Sequence, residues 1–249
     1  MLALPRDERT IERQRAELVA LIGERDGPRW TAARGDLALV LPFVAALPDV
    51  LAYHDRIGVP EDVSWATLAD LGRHAALYRR AHDRPGFDHA WWLQLHFRGR
   101  LFRLGRLQFE QRRRGLSVHV PGGETLDPSA VDASLAAAPS FFARHLPAQP
   151  RETAFITSWL LDPQLAEWLP PDSNIVRFQR RWTLDALVED GDASILEFVF
   201  VRVRPLDELP QRTALERAVV AHLRRGGHWH VRSGTLALCQ PSGSTPPLS

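Results

Sequence analysis

The chain contains no lysine: all 31 of its basic residues are arginine. A Gly-x-x-x-x-Gly-Lys-Ser/Thr phosphate loop is therefore impossible, and no Gly-x-Gly-x-x-Gly follows a strand-like segment, which sets aside P-loop ATPases, kinases and the usual dinucleotide enzymes. A single cysteine, Cys239, excludes an internal disulfide. No apolar run approaches the ~20 residues that span a bilayer, so no membrane segment is expected. The opening "MLALPRDERTIERQR" lacks the apolar core of a secretory signal, and a cytoplasmic location is expected. Excess charge is missing too. Thirty acidic residues leave a net charge of +1, too little for the broad positive field of a non-specific nucleic-acid binder, and nucleic acid is not an expected partner. The basic run "QRRRG" at 111–115 reads as a solvated strand end.

What is present suits a globular protein: 45% hydrophobic and 24% charged residues can supply a core. The first 85 residues read as helical. "DERTIERQRAELVALIGE" puts Ile11, Leu18, Leu21 and Ile22 on one side with acids in its first turn. "GDLALVLPFVAALPDVLAYHDRIG" carries Pro42 and Pro48 and is expected to break or kink into short helices. "SWATLADLGRHAALYRRAH" is expected to run from an N-cap at Ser64 to about His82. Pro85 and Gly86 in "HDRPGFDH" end this region.

Beyond that point strands and helices alternate. "RGRLFRLGRLQFEQRRRGLSVHVPGG" has long-strand texture broken at Gly115. A helix with Asp127 as cap follows over 128–146, then the strand "RETAFITSWLL", a helical turn in "DPQLAEWL", and a helix "NIVRFQRRW" capped near Ser173. "ASILEFVFVRVR" reads as the central strand of a sheet covered on both faces. "QRTALERAVVAHLRRGG" reads as a helix and "HWHVRSGTLALC" as a last strand. The expected class is α/β (α+β): a helical bundle over 1–85, a mixed-sheet domain flanked by helices over 86–240, and a mobile tail at 241–249.

Local catalytic signatures are few. His222, His228 and His230 form the densest histidine group, but no cysteine or acidic partner lies beside them in sequence, so no metal is expected. Ser158 lacks a Gly-x-Ser-x-Gly setting. Two helix starts offer free N–H groups and the positive end of a helix dipole to an anion: "PPDSNIVRF" with Ser173 and Asn174, and "LPQRTALERA" with Arg212 and Thr213. Ordinary capping explains either one equally well.

Three segments, "GRLFRLGRLQFE", "SWLLDPQLAEWLPPDSNIVRFQRRW" and "LERAVVAHLRRGGHW", together resemble a two-domain bacterial acyltransferase family. Its members join a small helical N-terminal domain to a C-terminal domain of the GNAT (acyl-CoA N-acyltransferase) type. The resemblance implies a GNAT-like mixed sheet in which two neighbouring parallel strands part and acyl-CoA lies between them. It implies acetyl-CoA or another acyl-CoA as co-substrate, a small-molecule amine as acceptor, and direct attack of the amine on the thioester, aided by a general base. Glu110 is the first candidate for that base, with His119 and Glu197 behind it. Arg212 and Thr213 are the candidates for the pyrophosphate, with Ser173 and Asn174 as rivals; Ser158, Trp159 and Asp162 are those for the acceptor. The sequence departs from the superfamily pattern in two ways: the glycine-bearing pyrophosphate loop is missing, and both tyrosines, Tyr53 and Tyr78, lie in the helical half. A ligand-holding module without turnover, and a homodimer built on the helical bundle, remain the alternatives.

Overall fold

The computed structural model describes residues 8–24, 37–202 and 204–238; the tail at 241–249 lies outside them. The chain divides into two compact units, one of Met1–Arg103 with Val201–Val203 and one of Leu104–Phe200 with Arg204–Ser249. The division falls after Arg103, beyond the Pro85–Gly86 signal, because one more helix joins the first unit.

That unit contains α1 (Glu8–Val19), a 3-10 turn at Leu37–Leu39, α2 (Val40–Arg56), α3 (Glu61–Leu68), α4 (Asp70–His82) and α5 (Ala90–Phe97). Leu18, Phe43, Ala46, Val50, Leu71 and Leu93 are among its core residues. Arg15 ties α1 to α2, donating to the Ala45 carbonyl and the Asp49 carboxylate.

Two expectations fail in this unit. The segment with Pro42 and Pro48 forms one 17-residue helix. Pro42 falls in the first turn, where an N–H is not needed. Pro48 deprives the Val44 carbonyl of its donor at a residue whose side chain is 47% exposed, so water can complete the bond. Ser64 is not a cap: it lies inside α3 and donates to the Pro60 carbonyl, while α4 begins afresh at Asp70.

The strands and remaining helices are β1 (Leu101–Leu104), β2 (Leu107–Arg112), β3 (Gly115–His119), α6 (Pro128–His145), β4 (Thr153–Ser158), a 3-10 turn at Trp159–Leu161, α7 (Leu165–Trp168), α8 (Asn174–Gln179), β5 (Thr183–Asp190), α9 (Asp192–Val199), α10 (Ala214–Arg224) and β6 (His230–Ala237). The sheet order is β1-β2-β3-β4-β6-β5. β3 and β4 are parallel; β2–β3, β4–β6 and β5–β6 are antiparallel. Parallel neighbours need a crossover, and α6 provides it. Its buried residues Val131, Leu135, Ala138 and Phe142 recur at helical spacing, and Asp127 caps it by accepting from the N–H groups of Ser129 and Ala130.

Two further readings are corrected. The long strand over 101–119 is three strands, because Gly105, at φ 65°, turns the chain between β1 and β2, and Arg113–Arg114 turn it between β2 and β3. "ASILEFVFVRVR" is not the central strand: residues 192–199 form the helix α9. A short apolar run does not separate a buried strand from a helix by periodicity; here Ile195 and Val199, four apart, join the core while Phe198 stands 71% exposed. The strand on that side is instead β5, "TLDALVED", whose eight residues are all exposed at the sheet edge. Its core strands are β4 and β6, which pair along Thr153–Ser158. Among the described residues, no helix is long and apolar enough to cross a membrane.

Candidate active site

β3 and β4 pair at Leu116↔Ala154 and Ser117↔Phe155, and among the described residues their pairing stops there. Both strands run on, β3 to His119 and β4 to Ser158, while β4 stays paired to β6 at every residue. The two parallel strands thus begin together and part, leaving the β3-facing edge of β4 beyond Phe155 for an extended ligand.

The closed end is fastened by two residues. Gln149 is 2% exposed, and its amide donates to the carbonyls of Arg112 and Gly115, each at 2.8 Å, tying the β2–β3 hairpin to the approach to β4. Gly115, at φ 154°, lies so close to β4 that a Cβ would run into the Thr153 carbonyl and the Phe155 ring.

The open end is lined from one face of the sheet. Cross-strand partners share a face, and the pairs Gln108↔His119, Glu110↔Ser117, Ser117↔Phe155, Phe155↔Thr235 and Thr157↔Ser233 place Glu110, Ser117, His119, Thr157 and Ser233 together. Glu110, only 1% exposed, accepts at Oε2 from Arg112 Nη2 at 3.0 Å and faces His119 Nε2 at 3.1 Å. A buried carboxylate is tolerated when paired in this way. His119 is 26% exposed, so the pair has a buried acid behind and an accessible imidazole in front. Across the parting, Thr157 Oγ1 lies 2.7 Å from Ser233 Oγ.

Several of the other candidate residues make contacts within the framework. Ser158 caps the 3-10 turn by accepting from Leu160 N–H. Trp159 belongs to the core with Trp229, Val219 and Ile195. Asp162, 1% exposed, accepts from the backbone N–H groups of Gln164 and His230 and from the Gln164 side-chain amide. Ser173 caps α8 through Val176 N–H, and Asn174 is exposed at that helix's first position. Arg212 and Thr213 give their N–H groups to Glu216 Oε2, completing a capping box with Thr213 Oγ1. Glu197 is exposed on α9, away in sequence from the β2–β3 pair. His228 joins the Asp192 carboxylate at 2.7 Å, which raises its pKa above the ordinary imidazole value. Among the described residues no group of three His, Cys, Asp or Glu side chains is arranged to hold a metal ion.

The fold brings together Glu110 and His119, both candidates from the sequence, and adds Gln149, Thr157 and Ser233, which the sequence reading did not single out. Alternation in "TAFITS" and "VRSGTL" carries the last two, but only the pairing of β4 with β6 reveals that they meet.

The comparisons agree with this geometry. Residues 1–99 match the model of an N-acyltransferase N-terminal domain, and residues 101–236 match that of a GNAT-like C-terminal domain. No curated protein matches. Among solved structures, an acyltransferase in complex with decanoyl-CoA and teicoplanin is 43% identical, with a TM-score of 0.85 over 95% of this chain and 81% of that one. An acyltransferase in complex with CoA and 10C-teicoplanin is 42% identical with a TM-score of 0.85, again over 95% of this chain and 81% of that one. A mutant acyltransferase in complex with octanoyl-CoA is 42% identical over the same shares, with a TM-score of 0.86. The parting parallel strands, the six-stranded mixed sheet and both domain matches place this chain in the family of two-domain GNAT-like acyltransferases.

Proposed function

We propose that this protein is an acyl-CoA-dependent N-acyltransferase that moves a medium-length acyl chain to an amine by direct attack. The observation that carries this reading is the parting of β3 and β4 with the Glu110–His119 pair on its lip. Acyl-CoA fits there because its pantetheine is an extended chain of amides, able to pair with the β3-facing edge of β4 as a strand would. The relatives bound to octanoyl-CoA and decanoyl-CoA support a chain of that length, and the complex with teicoplanin supports a glycopeptide amine as acceptor. A cytoplasmic place, where acyl-CoA is available, accords with this reading.

Within it, His119 rather than Glu110 is the base, since Glu110 is buried and already shared between Arg112 and His119. The amine nitrogen attacks the thioester carbonyl, His119 takes its proton as the C–N bond forms, and the C–S bond breaks to release CoA thiolate. Glu110 orients the imidazole and stabilises it once protonated. The backbone N–H groups of β4 beyond Phe155 are the donors for the developing oxyanion.

One observation favours a second reading, a module that holds acyl-CoA without turnover. The starts of α6, α8 and α10 are capped by their own Asp127, Ser173 and Thr213–Glu216, so no unclosed helix start is offered to the pyrophosphate there. Calorimetric titration with CoA and decanoyl-CoA, followed by thiol release in the presence of glycopeptide amines, separates the two. Binding and acceptor-dependent thiol release are expected; binding without release favours the module, and no binding overturns both.

A further inference from the structure

We propose that the Thr157–Ser233 hydroxyl pair donates the hydrogen bond that receives the CoA sulfur as the acyl group leaves. This rests on the acyltransferase reading above and assigns a second chemical role to the same cleft.

Position is the first argument. His119 lies two residues past the last paired residue of β3, and Thr157 lies two past the last paired residue of β4. In a parallel pair such residues stand level, and both side chains are on the same face of the sheet. The imidazole and the hydroxyl pair therefore occupy opposite lips of the parting. In the tetrahedral intermediate one carbon carries both the attacking nitrogen and the sulfur. With nitrogen turned toward His119, sulfur is left to face β4.

Hydrogen-bond counting is the second. Thr157 Oγ1 and Ser233 Oγ are 2.7 Å apart, and either can be the donor. Two hydroxyls own two O–H groups, of which one is spent between them. Whichever donates, one O–H remains for a third group, and the second hydroxyl fixes the rotamer of the first. Thr157 is exposed and Ser233 half-buried on this face, so the remaining O–H is accessible from either residue.

Chemistry is the third. An ordinary thiol has a pKa of about 8.5, so the leaving sulfur departs as a thiolate that a single hydroxyl need not protonate. A donor already in place stabilises the charge as it forms, which is the kind of interaction that accelerates the step. The proton balance is complete: the amine proton goes to His119 and then to water, and the thiolate takes its proton from water after leaving. No tyrosine lies in the second unit to serve instead.

The test reads the thiol of bound CoA directly. Ultraviolet thiolate absorption is followed against pH for the CoA complex, with the complex of desulfo-CoA subtracted to cancel Cys239. The wild-type complex is expected to hold the thiol below the free value. Thr157→Val, which keeps the shape, should raise it by about one pK unit, a tenfold change in ionisation; Thr157→Ser should restore it, and Ser233→Ala should give a smaller rise. In Thr157→Val the decanoyl-CoA dissociation constant and the melting temperature should stay near wild type while kcat falls. An undepressed thiol in the wild type, or the same thiol pKa in wild type and Thr157→Val, overturns this inference and leaves the acyltransferase reading standing. Failure of the wild type to bind CoA overturns that reading instead.

Discussion

Glu110 Oε2 lies 3.1 Å from His119 Nε2 across the β2–β3 ladder, and the same oxygen lies 3.0 Å from Arg112 Nη2. One carboxylate oxygen is thus shared between a permanent cation and a titratable ring. Arg112 holds the carboxylate from one side while His119 meets it from the other, so Glu110 can orient the imidazole from a fixed position.

Replacing His119 separates binding from chemistry. His119→Ala should lower kcat by about 10²–10⁴, the usual contribution of a positioned base, while decanoyl-CoA affinity by calorimetry stays within a few fold. Glu110→Gln keeps a side chain of the same shape but removes the charge that stabilises the protonated ring, and should cost roughly tenfold in kcat. Equal activity of His119→Ala and wild type would remove the residue from the mechanism.

The vertex of the cleft is a second point of attack. Gln149→Leu removes the amide that serves both the Gly115 carbonyl, through a buried bond, and the Arg112 carbonyl, through a part-buried one. An unsatisfied buried acceptor costs about 1–3 kcal/mol, so chemical denaturation should show a loss of roughly that size, from the Gly115 carbonyl. Because the same bonds set where β3 and β4 part, CoA affinity should fall as well. A variant that is destabilised yet binds CoA normally would confine Gln149 to stability.

How far the sequence revealed this arrangement depends on the range of the interactions involved. Asp127, Ser173 and Thr213 act within three residues of themselves, and the caps of α6, α8 and α10 lie where their local signatures put them. Glu110 and His119 are nine apart and joined by a two-residue turn, close enough for strand texture and resemblance to single them out. Thr157 and Ser233 are 76 apart; their meeting depends on β6 inserting beside β4, which no local pattern encodes. The strand expected over Ala193–Arg204 failed for a related reason. Its apolar residues satisfy either period, and packing against Trp229 and Val219 decided for a helix.

Asp162, a candidate acceptor contact in the sequence, is held in a buried hydrogen-bond network and should contribute to stability. Its carboxylate takes the His230 N–H at 2.7 Å and the Gln164 N–H at 3.0 Å, joining the turn after β4 to the start of β6. Asp162→Ala should cost about 2–4 kcal/mol in chemical denaturation, as expected for a broken buried network. Asp162→Asn keeps one acceptor oxygen and should cost less. A loss of acceptor affinity with unchanged stability would return Asp162 to the substrate.

Acid should destabilise the helical unit through two histidines, the buried His54 and the half-buried His74. Burial lowers the pKa of His54 from 6.5 to about 4; the ring is 1% exposed, with Nδ1 3.1 Å from Ser64 Oγ. His74 is lowered to about 3, chiefly by burial and further by the neighbouring His89, His96 and Arg73. A depressed folded-state value means that the folded protein holds fewer protons than the unfolded chain below pH 6.5. The stabilising contribution is therefore complete above that value and is lost as pH falls toward 4 for His54 and 3 for His74. Each ring adds at most about 1.4 kcal/mol per pH unit to the slope of stability against pH. His54→Asn can replace the Nδ1 contact to Ser64 without titrating, so its denaturation midpoint should fall less steeply between pH 6.5 and 4 than that of the wild type. Parallel slopes would show that His54 enters its pocket as readily charged as neutral.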